Sequence, residues 1–175
     1  NPQGVKEIVN LSPQETAVAP NLTVRENLEL IARIYDDGRG AAAEKTTAMM
    51  KRLGLAEVEK QKVKILSGGW QRRLSIAMAL ISEPRILFLD EPTLGLDVLA
   101  RRELWKLIEQ LKGEITMILT THYLEEAEAL SDRIGIMADG RLRALGTADE
   151  LIAATGTRNF EDAFVMLATN SEGAQ

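Results

Sequence analysis

Two kinds of apolar spacing divide the chain near residue 82. In the first part, Val24, Leu28, Ile31 and Ile34 recur at helical intervals behind Thr23, and Glu26 stands three residues after it. That is a Thr-x-x-Glu capping box, so a helix is predicted from Thr23 onward. Asp37-Gly38-Arg39-Gly40 should break it, and Ala41 to Leu53 should form a second helix closed by Gly54. After a charged, loosely patterned stretch, Ser67-Gly68-Gly69 precedes a helix through Leu74, Ile76, Ala77, Leu80 and Ile81.

The second part reads as strands. Ile86–Leu89, Ile115–Leu119 and Ile134–Met137 are short and apolar on both faces, the pattern of strands buried in a parallel sheet. Between them lie two amphipathic helices. One runs from Val98 to Lys112, capped by Asp97 and ended by Gly113, and the other from Leu124 to Leu130. Strand–helix–strand–helix–strand predicts right-handed crossovers onto one sheet, an α/β fold. Asp139-Gly140 should turn a hairpin into Arg141–Leu145, Thr147 should cap a further helix, and Glu161–Ala168 a short one. Ahead of all this, Ile8–Leu11 reads as the end of a strand, and Pro13 places Gln14 on a loop. The expected division is therefore 1–15, a strand end and loop; 16–82, a small helical subdomain; 83–156, the α/β core; and 157–175, a tail.

Composition narrows the partners. The 175 residues are 45% hydrophobic, enough for one sizeable core. Twenty-one basic against 26 acidic residues give a net charge of −5, which argues against a nucleic-acid surface. There is no cysteine, hence no disulfide and no thiolate metal site. No apolar run approaches the ~20 residues that span a bilayer, and no signal-peptide pattern opens the chain. These features predict a cytoplasmic protein.

The chemistry concentrates in a few places. Asp90 ends an apolar strand, where parallel sheets bind ligands, and its carboxylate suits Mg²⁺. Glu91, projecting elsewhere, suits polarising or deprotonating a water that attacks a γ-phosphate. The alternative is an Asp-Glu-Pro turn that merely solvates a strand end. Ser67-Gly68-Gly69 offers a hydroxyl and helix N-terminal amides to an anion, or is an ordinary glycine-rich connection capped by Ser67. His122, the only histidine, follows a strand end and can hydrogen-bond a γ-phosphate or water, or be a polar loop residue. Gln14 can lend its amide oxygen to Mg²⁺ and water, or be an exposed turn residue.

The order of Gln14, Leu66-Ser67-Gly68-Gly69, Ile86–Asp90, Glu91, Leu96-Asp97 and His122 resembles the ATP-binding domain of ABC (ATP-binding-cassette) transporters, over nearly the whole chain. The resemblance implies a P-loop NTPase-like parallel sheet core with a small helical signature subdomain. It implies ATP and Mg²⁺ as cofactors, with Gln14 as the Mg²⁺-sensing loop glutamine and Asp90 as the Mg²⁺-associated aspartate of the Walker B strand. Glu91 would be the catalytic glutamate, His122 the switch histidine, and Leu94–Asp97 the loop linking two sites. Ser67, Gly68 and Gly69 would reach the γ-phosphate held by a second cassette. The implied partners are that second cassette and a membrane permease, with the protein peripheral at the inner face of the cell membrane. Val18–Asn27 and Phe160–Phe164 are similar to the branch that serves drug, lipid or ion exporters. Long heptad helices, which a chromosome-maintenance ATPase needs, are missing.

There are departures. Trp70 replaces the usual Gln or Met of the signature, Arg72 stands where Gln is common, and Met78 where Arg is common. Gly-Lys occurs nowhere, so the Gly-x-x-x-x-Gly-Lys-[Ser/Thr] loop that grips a triphosphate is not in these residues. With a start at Asn1 rather than Met, the expectation is a truncated cassette: it is inactive alone, binds ATP weakly or not at all, and is prone to self-association through uncovered surface. A non-catalytic interaction module is the other reading.

Overall fold

The computed structural model describes residues 4–5, 8–35 and 39–169, apart from the Arg39 side chain. The chain divides into two compact units, residues 1–120 and 121–175.

In the first unit, β1 (Val9–Ser12), β2 (Ile86–Asp90) and β3 (Thr116–Thr120) form a parallel sheet in that order. The register aligns Leu11, Phe88 and Ile118 on one line and Ser12, Leu89 and Leu119 on the next. Alternation then separates two faces. Leu87, Leu89 and Ser12 are buried under α3 (Gly68–Leu80), whereas Leu11 and Ile118 on the other face are 50% and 43% exposed. The strands are therefore not buried on both faces as their apolar runs predict. β3 alternates exposed and half-buried positions along its whole length.

Helices α1 (Val24–Ile34) and α2 (Arg39–Arg52) pack together and α1 against α3. The capping box forms: Thr23 accepts from the Glu26 amide, and Glu26 accepts from the Thr23 amide at 2.7 Å. Val24, Leu28 and Ala32 are fully buried, while Ile34 at the end of the stripe is exposed. The expected break at Asp37-Gly38 lies outside the described residues, and Arg39 and Gly40 already belong to α2. Gly54 does end it, at φ +64°. Two 3₁₀ turns, Ala56–Val58 and Val63–Ile65, lead to α3. Helix α4 (Val98–Leu111) buries Leu104, Leu107, Ile108 and Leu111.

Those hydrogen bonds from Thr23 hold the Glu26 carboxyl below its ordinary value near 4.5. A depressed folded-state value contributes stability that is complete above the unfolded pKa and lost as pH falls through the folded one. Glu26→Gln is therefore expected to lower the melting temperature at pH 6, with the difference from the native chain vanishing towards pH 3. A difference that persists at pH 3 would assign the loss to packing instead.

The second unit comprises α5 (Leu124–Leu130), β4 (Ile134–Ala138), β5 (Arg141–Gly146), α6 (Ala148–Thr155) and α7 (Phe160–Thr169). Here the structure corrects the expected topology: among the described residues, β4 pairs antiparallel with β5 and not with the parallel sheet. Asp139 and Gly140, at φ 50° and 71°, build the two-residue turn. A hairpin this short closes its own ladder locally, which a crossover strand cannot do. Ile134, Ile136, Leu151 and Phe160 make the core of this unit. Thr147 and Glu150 form a second capping box.

Candidate active site

Parallel register decides which loops meet. Ser12 sits beside Leu89, so Pro13-Gln14 and Asp90-Glu91 leave adjacent strands at the same carboxyl edge of the sheet. Asp90, half-buried, pairs with Thr120 across β2 and β3, and the Thr120 hydroxyl donates to Asp90 Oδ1. Both Asp90 and the Gln14 amide offer hard oxygen atoms. Among the described residues no three acidic or histidine side chains gather into a metal cage. That donor set fits Mg²⁺, which keeps several waters and takes few protein ligands, rather than a fully caged ion.

Glu91 lies just past the strand, at φ 46°, a left-handed conformation costing ~1–2 kcal/mol for a side-chain-bearing residue. Its amide donates to the Thr120 carbonyl at 3.1 Å, and its carbonyl closes a turn with the Leu94 amide at 3.2 Å. Glu91 stands outside β2, so a left-handed turn and not the predicted strand alternation sets its backbone. Backbone strain of this kind collects at functional sites.

Ser67 caps α3 in an extended conformation, yet its side chain makes no capping hydrogen bond, and it is exposed together with Gly68. No acidic residue occupies the first turn of α3, which leaves the N-terminal amides open to an anion. Gly69 has a second duty. A Cβ there would lie 3.1 Å from the Ala100 Cβ, so glycine permits the close packing of α3 on α4. Asp97 is committed locally: its Oδ1 accepts from the Leu99 and Ala100 amides and caps α4. Trp70 is half-buried, with the Arg73 guanidinium 4.8 Å from its ring centre, and lines an open groove of about 500 Å³ with Glu57, Val58, Gln61, Ile65, Leu66 and Ser67.

His122 lies in the second unit, two residues after the end of β3, and its ring lies 4.2 Å from that of Tyr123. Gln14, Asp90 and Glu91 are brought to one edge within the first unit; His122 belongs to the other. Sequence reasoning passed over two participants. Thr120 holds Asp90, a role signalled only by a hydroxyl residue at the end of the neighbouring strand. Arg72 is 4% exposed on α3, and its guanidinium donates to the carbonyls of Pro13 and Gln14. The available signal was a polar pair, Arg72 and Ser75, spaced i, i+3 inside a helix otherwise rich in apolar residues.

With this geometry in place, comparison with known proteins is direct. A profile of the ABC transporter family matches residues 3–94, more than half of the chain. The chain belongs to the ABC transporter family. This ABC transporter chain is 45% identical over 149 residues to the daunorubicin resistance ATP-binding protein DrrA3 of Streptomyces coeruleorubidus, covering 85% of this chain and 47% of that protein. It is 38% identical over 152 residues to the linearmycin resistance ATP-binding protein LnrL of Bacillus subtilis (strain 168), covering 86% and 49%. It thus spans about half the length of these two relatives. A solved structure described as the ATP-binding subunit of an ABC transporter superposes with a TM-score of 0.78 at 26% identity, covering 95% of this chain and 71% of that one. The α/β architecture with its parallel sheet is that of the ABC ATP-binding domain. No helix among the described residues is long and apolar enough to cross a membrane.

Proposed function

We propose that the chain serves in the ATP-binding subunit of a drug-exporting ABC transporter, where ATP hydrolysis drives a membrane permease from the cytoplasmic face. One observation carries the reading: Gln14, Asp90 and a backbone-strained Glu91 converge at the carboxyl edge of the sheet, in a chain similar to two drug-resistance ATP-binding proteins. Glu91 orients and deprotonates the attacking water. Asp90, held by Thr120, and the Gln14 amide hold Mg²⁺, and His122 steadies the γ-phosphate. When bound, Mg²⁺ offsets negative charge on the transferring phosphoryl group. Ser67, Gly68 and Gly69 direct α3 amides at the nucleotide of a second cassette. Asp97 caps the start of α4 beside them and belongs to the loop that links the two sites.

These 175 residues contain no Gly-Lys, so they lack the lysine and loop amides that grip β- and γ-phosphates in this family. The chain by itself is therefore expected to give no thermal shift with millimolar Mg·ATP. Ligand at 100 times its dissociation constant would add about 2.7 kcal/mol, a shift easily seen. The complete protein, by contrast, should release phosphate from ATP only with Mg²⁺ present, and no release from it would overturn the ATPase reading. The exposed apolar line through Leu11 and Ile118 supports self-association of the isolated chain.

A further inference from the structure

We propose that Arg72 is a positioning residue that ties the Gln14 loop to the signature turn, so that the two elements move as one body. Three observations meet here. Arg72 is buried, 4% exposed, although an arginine is rarely so enclosed unless its donors are used. Its two terminal nitrogens donate one to the Pro13 carbonyl and one to the Gln14 carbonyl. One turn further along α3, the buried Ser75 hydroxyl meets the Ser12 hydroxyl at 3.0 Å, so the same helix face grips the end of β1 and the loop that leaves it.

Among the described residues, no other hydrogen bond ties Pro13 or Gln14 to a distant element. The loop's next anchors come at Ala19, whose amide and carbonyl bond the Asn27 side chain, and at Pro20, whose carbonyl accepts from the Lys64 amide. At the other end of the tether, Arg72 is five residues past Ser67 in one continuous helix, so a displacement of the Gln14 backbone is transmitted to the exposed Ser67-Gly68 turn through rigid structure. Burial lowers the Arg72 pKa from its ordinary value, and the negative charge of Asp90 opposes that. The planar fork matters more than the charge: lysine, a point donor, can satisfy one carbonyl but not both in the same geometry.

The tether is tested without nucleotide, by cleavage of the chain after exposed Glu15 with a glutamate-specific protease. Arg72→Met should be cut about tenfold faster than the native chain, because charge-assisted hydrogen bonds close the loop, with Arg72→Lys in between. Equal rates in folded variants, checked by their melting curves, would overturn the tether. The consequence for the site rests on the ATPase reading and is measured in the complete protein. Arg72→Gln should raise the half-saturating Mg²⁺ concentration about tenfold in the native background but less than about twofold when Gln14 is already Ala, since residues acting through one another are not additive. The same factor in both backgrounds, or no change in either, would overturn the coupling. Failure of the complete native protein to hydrolyse ATP would instead sink the ATPase reading, while the proteolysis still decides the tether.

Discussion

Glu91→Gln in the complete protein is expected to lower turnover by about 10²–10⁴-fold while leaving ATP binding intact, because a positioned general base contributes that much and the amide cannot accept the proton. The substitution keeps the shape of the side chain and the turn that carries it, in which the Glu91 amide bonds the Thr120 carbonyl. The measurement is steady-state phosphate release beside equilibrium binding of labelled ATP. A variant that binds and still turns over at the native rate would remove Glu91 from the role of base. A variant that fails to bind would assign Glu91 to nucleotide or loop placement instead.

The second large effect concerns the platform. Leu87 is fully buried on β2, the strand that lies between β1 and β3. Leu87→Ala should cost about 2–5 kcal/mol, the range for truncating a leucine in a core that does not collapse around the gap. Against a typical domain stability of about 5–15 kcal/mol this is severe. Urea unfolding of the first unit should show it as a fall in midpoint. Leu142→Ala, at a 56% exposed position on β5, should stay within about 0.5 kcal/mol. A mild loss at Leu87 would mean that β2 is not the keel of the sheet that carries Asp90.

The family resemblance implies one site for Gln14, Asp90, Glu91 and His122. Three of these residues are carried on the same edge by the β1–β2–β3 register, and His122 belongs to the other compact unit. The family resemblance implies a place for Asp97 in the loop between two sites, beside the cap its position predicts, and its Oδ1 makes the cap. The two roles look alike in sequence, since an aspartate before a helix serves either.

What the sequence determined by itself is local. Thr23 with Glu26, Asp97 before α4, Thr147 with Glu150 and the Asp139-Gly140 turn all form as their spacing requires, because each device is completed within four residues by hydrogen bonds the neighbouring backbone offers. Tertiary structure decided what joins distant segments. It buried Arg72 against Pro13 and Gln14, 59 and 58 residues away; set Gly69 against Ala100; and left β4 with β5 instead of the parallel sheet. Apolar runs state that a segment wants burial, but not against what. The partner is chosen by the packing and register of the whole chain, where a strand's neighbours cost loop-closure entropy that a two-residue turn hardly incurs.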